Sequence, residues 1–154
     1  MAIDTVLVAV GRGDEEAARM KHIAAAIVDL AESIEPDPEF VVLHVFGEAE
    51  LDDLIEQLDF DEPGDADATA VARRHSATRT LGDILEAEGI DYTVRGEVDD
   101  DTAASVVGVA DEIGADRILV GGRKRTPAGK VVFGSTSQQV LLMANCPVTY
   151  VRTD

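Results

Sequence analysis

The sequence predicts an α/β three-layer sandwich: a five-stranded parallel sheet with helices on both faces. Three observations carry this. The runs VLVAV (residues 6–10), FVVLHVF (40–46) and ILV (118–120) are continuously apolar, as strands covered on both faces are. Between them apolar residues recur at helical spacing, so strand and helix alternate along the chain. Such alternation implies parallel pairing through right-handed crossovers.

Taken in order, Gly11 and Gly13 break the first run, and Asp14 is placed as an N-cap with Glu15 and Glu16 in the first helical turn. Met20, Ile23, Ala24, Ile27, Leu30 and Ile34 form the stripe of that helix, which Pro36 and Pro38 end. After the second strand, residues 48–58 put Leu51, Leu54, Ile55 and Leu58 on one helical face. Residues 48–67 hold ten acids and are expected to be a solvated insert. One continuous helix is expected over 68–88, stopped by Gly89. Residues 92–95 alternate as a short edge strand does. Ala103, Val106, Val107, Ala110 and Ile113 stripe the next helix, and Gly114 ends it. The strand 118–120 runs into a loop, Ser135-x-x-Gln138 forms a capping box for the last helix, and 148–151 closes the sheet.

The 154 residues suit a single domain over 1–154, and 45% apolar content excludes a disordered acidic tail. No apolar run approaches the roughly 18 residues of a membrane span, and the acidic N-terminus does not resemble a signal peptide. One cysteine, Cys146, excludes an internal disulfide framework and agrees with a cytoplasmic setting; it is expected to be a buried structural thiol. The 31 acids against 13 bases give a net charge of −18, and only Lys21, Lys124 and Lys130 are lysines. That surface repels nucleic acid. Its acidity, spread along the whole chain, matches a halophilic adaptation in which salt screens the repulsion.

The loop after the fourth strand is the most informative segment. Arg123, Lys124, Arg125 and Lys130 are four of the 13 bases, and they follow a buried strand at the sheet edge where ligands bind in α/β folds. Gly121 allows close backbone approach. Gly134, Ser135, Thr136 and Ser137 put backbone N–H groups and three hydroxyls at a helix N-terminus, which favours a phosphate. The same loop also reads as an ordinary helix start whose bases pair with nearby acids. The coincidence of position, charge and hydroxyls favours the site.

Other motifs are rejected. Six residues separate Gly122 from Gly129 where a P-loop needs four, and Val131 stands in place of its magnesium-binding hydroxyl. The segment from Gly11 to Glu16 lacks the third glycine of a dinucleotide fingerprint. There is no HExxH or CxxC, hence no metal signature. His22 and His75 are expected at the surface, and His44 as a hydrogen-bonded strand-end residue.

The strands VLVAV and VVLHVF, with GADRILVGGRKR and GKVVFGSTSQQVLLMANCPVTYV at the end, resemble the universal stress protein family over essentially the whole length. The nucleotide-binding members carry Gly-x2-Gly-x9-Gly-Ser/Thr. Gly121 matches the first glycine and Gly134-Ser135 the final pair, while Lys124 replaces the middle glycine and Gly11 stands where an aspartate lies near the adenine. Lys124 either obstructs close approach or adds a charge-assisted bond to a phosphate. The resemblance implies a Rossmann-like sheet ordered 3-2-1-4-5 and a site for ATP or another adenine nucleotide, with a divalent cation held by the phosphates. By position it places Ala9, Val10, Gly11, Val45, Val120, Gly121 and Arg123 around adenine and ribose, and Gly134, Ser135, Thr136 and Ser137 at the phosphates.

The function expected is therefore a nucleotide-binding sensor or adaptor in the stress response. Hydrolysis would be slow at most, since no general base or magnesium ligand is visible. The alternative is a dimeric interaction protein whose basic loop is structural or holds another anion. An adenylyl-transferring enzyme fits least, for want of SGGxDS or HxGH. The resemblance also implies a homodimer through the terminal strand, with the Thr149 N–H as a candidate ladder donor to the partner.

Overall fold

Five strands, β1 (Thr5–Val10), β2 (Glu39–Phe46), β3 (Tyr92–Val98), β4 (Arg117–Gly122) and β5 (Val148–Arg152), form one parallel sheet in the order β3-β2-β1-β4-β5. The predicted order is the observed one. The computed structural model describes residues 3–10, 17–58, 60, 67–122 and 135–153. The predicted N-cap Asp14 and its neighbours Glu15 and Glu16 lie outside these.

The period of two along each strand divides the core between two helical layers. Val6, Val8, Val10, Phe40, Val42 and Leu119 pack under α1 (Ala17–Ser33) and α4 (Ser76–Ala87), meeting Met20, Ile23, Ile27, Leu81 and Leu85. Leu7, Val41, Leu43, Val45, Ile118 and Val120 face the other way, onto α5 (Thr102–Ile113) and α6 (Ser135–Met143). Each fully buried aliphatic side chain of this kind contributes roughly 1.5–3 kcal/mol.

The acid-rich segment after β2 is more than solvated surface. Its helix α2 (Glu48–Gln57) buries no residue fully, yet Leu51, Leu54 and Ile55 pack on Phe46 and Val71 in a third, smaller cluster. Asp67 caps α3 (Ala68–Arg74), accepting from the Ala70 N–H at 2.8 Å. Asp101 does the same for α5 through Ala104.

The single helix expected over 68–88 is instead two, α3 and α4, broken at His75. The reason is local. His75 adopts extended dihedrals (φ −64°, ψ 138°), ends α3, and caps α4 by accepting the Ala77 N–H on Nδ1. Its ring then lies 4.4 Å from that of His44, which stacks on Phe46 at 4.2 Å. His75 is thus half-buried, contrary to the surface position expected, and His44 is only 2% exposed. His22 is exposed as expected.

β3 is also longer than the four residues expected, and α3 covers part of its outer edge. The Thr69 hydroxyl accepts the Gly96 N–H at 3.1 Å, and a Cβ on Gly96 would collide with the backbone of Ala68 and Thr69. Glycine is required there by close approach.

Candidate functional site

β1 is flanked by β2 and β4, and the helices that follow β1 and the loop after β4, α1 and α6, lie on opposite faces of the sheet. The crevice this opens at the strand carboxyl ends is where α/β folds hold ligands. The structure brings several of the predicted residues together there. Ala9 pairs in register with Leu43 on one side and Val120 on the other, and Val10 stands opposite His44. Val10, Val45 and Val120 are buried, while Ala9 and Gly121 are partly open. Gly11, Arg123, Lys124 and Gly134 lie outside the described residues.

α6 is tied to this edge. The Ser137 hydroxyl, 8% exposed, donates to the Gly121 carbonyl at 3.3 Å, holding the first turn of the helix against the end of β4. Ser135 is the first helical residue rather than the cap, and Thr136 is exposed.

Sequence reasoning missed two neighbours of this edge. A Cβ on Gly121 would come within 3.2 Å of Ile23 Cδ1 and Thr153 Cγ2, so either side chain would have to give by a few tenths of an ångström to admit one. Thr153 is 5% exposed, its N–H donates to the Gly122 carbonyl, and its buried Oγ1 has no partner among the described residues. A threonine past the last strand carries no motif, so only the fold reveals it. Ile23 was visible in the sequence, but only as a core residue.

The chemistry of the remaining candidates is modest. Cys146 is partly rather than fully buried; its burial, with Asp111 and Asp116 nearby, raises the thiol pKa and keeps it protonated. Among the described residues, no cluster of three His, Cys, Asp or Glu side chains is arranged to hold a metal, and no helix is long and apolar enough to cross a membrane.

The comparisons with known proteins agree on one family. The model of the universal stress protein family matches residues 2–152. A universal stress protein of Mycolicibacterium smegmatis is 29% identical over 89 residues, which cover 58% of this chain and 68% of that protein. Among solved structures, a universal stress protein from Archaeoglobus fulgidus in complex with dAMP is 24% identical with a TM-score of 0.57, covering 99% of this chain and 100% of that one. A universal stress protein in complex with cAMP is 20% identical with a TM-score of 0.65, covering 100% of both. At these identities the two structures establish the shared fold. The family match takes in every strand and helix among the described residues, and the chain belongs to the universal stress protein family.

Proposed function

We propose that this universal stress protein binds an adenine nucleotide, ATP among them, at the carboxyl ends of β1, β2 and β4, and serves as a cytoplasmic sensor or adaptor in the stress response. The observation that carries the reading is the bond from Ser137 to Gly121, which sets the N-terminus of α6 beside the end of β4. There the first-turn N–H groups and the helix dipole favour a phosphate. Adenine and ribose would lie along Ala9, Val10, Gly11, Val45, Val120, Gly121 and Arg123. The phosphates would meet Gly134, Ser135, Thr136, Ser137 and Lys124, with any divalent cation held by the phosphates. The solved family members in complex with cAMP and dAMP support the adenine class.

Calorimetric titration with ATP, AMP and cAMP tests this. Ser135→Asp puts a carboxylate where the phosphate would sit, so the variant is expected to lose binding. Equal affinity in variant and parent overturns the site. A parent that binds none of the three overturns the reading itself and leaves a dimeric interaction protein.

A homodimer through β5 accompanies the proposal. β5 is a sheet edge, and Leu141, Leu142 and Met143, just before it, are 39%, 78% and 46% exposed. The candidate donor named from the sequence, the Thr149 N–H, needs correction. Pro147 gives its carbonyl to Ile118 and Thr153 gives its N–H to Gly122, so odd-numbered residues of β5 face β4. The Thr149 N–H therefore belongs to the β4 ladder, and Val148 and Tyr150 point their backbone groups outward.

A further inference from the structure

On the opposite border of the sheet, away from the crevice, a cavity of about 460 Å3 opens between α3, α4 and the start of β3. Its walls include Arg73, Thr78, Arg79, Asp83, Glu86 and Tyr92. Tyr92 is the first residue of β3, so the cavity lies toward the amino ends of the strands, whereas the nucleotide reading uses the carboxyl ends.

Three features make this a built site rather than a solvated face. Thr78 lines the wall, is 3% exposed, and among the described residues its buried Oγ1 has no hydrogen-bond partner, an arrangement that costs free energy. β3 is an edge whose Gly96 N–H already points outward to Thr69. The period of two turns the N–H and C=O groups of Tyr92 and Val94 the same way, at the cavity wall. Finally, the charges are sorted. Arg73 lies in the last turn of α3 and Arg79 in the first turns of α4, while Asp83 and Glu86 follow one and two turns on, a rise of about 6 and 10 Å. Among the described residues no ion pair joins these guanidinium groups to these carboxylates.

We propose that this cavity binds a small zwitterion of the amino-acid type. Its carboxylate lies at the end formed by Arg73, Thr78 and Arg79, and its ammonium at the end formed by Asp83 and Glu86. A simple anion would meet the two carboxylates and a simple cation the two guanidinium groups. A compact dipole satisfies both ends, and outward backbone groups of β3 add hydrogen bonds that do not depend on the ligand's side chain. The volume falls in the range of about 300–1,000 Å3 usual for small-molecule sites.

The test is calorimetric titration of the folded chain with each of the twenty free L-amino acids. The tightest is then compared with its desamino acid and its decarboxylated amine. At least one amino acid is expected to bind with a Kd below about 1 mM. Removing either charge from the ligand, or making Arg79→Gln or Asp83→Asn, is expected to weaken binding at least tenfold. Both positions are exposed, and an unchanged thermal midpoint confirms that the variants fold. Nucleotide affinity should be unchanged in both, which separates this site from the crevice. No amino acid binding below about 1 mM, equal binding of a singly charged analogue, or parental affinity in both variants overturns the proposal.

Discussion

Thr5 and Asp116 bond each other twice: the Thr5 N–H donates to Asp116 Oδ2 at 3.1 Å, and the Asp116 N–H donates to the Thr5 carbonyl at 2.8 Å. The same carboxylate oxygen accepts the Asp4 N–H at 2.8 Å. One acidic side chain thereby stitches the entry of β1 to the entry of β4, 111 residues later.

These bonds, from Asp4 first and Thr5 second, lower the Asp116 pKa from its ordinary 3.8. A folded-state pKa below the unfolded one gives stability that is present above the unfolded value and lost as pH falls through the folded value. Asp116→Asn keeps an acceptor but loses the charge. The variant should be less stable at neutral pH, and the gap to the parent should close as pH drops below about 4. Urea unfolding across pH checks this, and a gap constant down to pH 2 would count against it.

The contact of Gly96 with Ala68 and Thr69 is with backbone, which cannot swing aside. Gly96→Ala should therefore cost about 1–3 kcal/mol. Gly108 lies in α5 with nothing within 4 Å of a new Cβ, so Gly108→Ala should stabilise by up to about 1 kcal/mol. Denaturant unfolding of the two variants should move in opposite directions.

His75 combines a cap with a ring contact, and two substitutions separate them. His75→Asn retains a good N-cap acceptor, whereas His75→Ala loses it at a further cost of about 1 kcal/mol. Both lose the ring contact with His44. Equal midpoints for the two variants would show that the cap contributes nothing.

The fold was legible because the apolar runs at Val6, Phe40 and Ile118 are long enough to specify strands covered on both faces. The break at His75 was not. Residues 68–88 have helical spacing throughout, and the cap that interrupts them depends on rings from β2 that are far away in sequence. At the candidate site, Gly121 and Ser137 could be read from their positions, but Thr153 could not, since its place beside Gly121 is set by β5 pairing with β4. The charge-sorted cavity was hidden for a similar reason: nothing in the sequence brings Arg73 and Arg79 to one wall until α3 and α4 are folded against β3.

The net charge of −18 sets the response to salt. At 1 M the Debye length is about 3 Å, which relieves repulsion between surface carboxylates. The thermal midpoint is expected to rise as KCl goes from dilute to molar. A flat or falling midpoint would contradict the halophilic reading.

For the homodimer, light scattering in molar KCl should give the mass of two chains. Val148→Pro removes an outward-facing donor at the first position of β5, where proline leaves the β4 ladder intact, and should shift the mass toward one chain. A parent with the mass of one chain at tens of micromolar would sink the dimer.

The roof that α3 places over Gly96 has a consequence for how the molecule can aggregate. A fibre grows only if each added subunit offers a fresh border to the next. Among the described residues nothing covers the β5 border, while on the β3 border Thr69 closes the outward backbone at Gly96 and leaves Tyr92 and Val94 on one side and Val98 on the other. Each remnant is shorter than an ordinary strand. A strand that adds at β5 therefore meets a molecule whose other border offers only interrupted pairing, which disfavours continued growth.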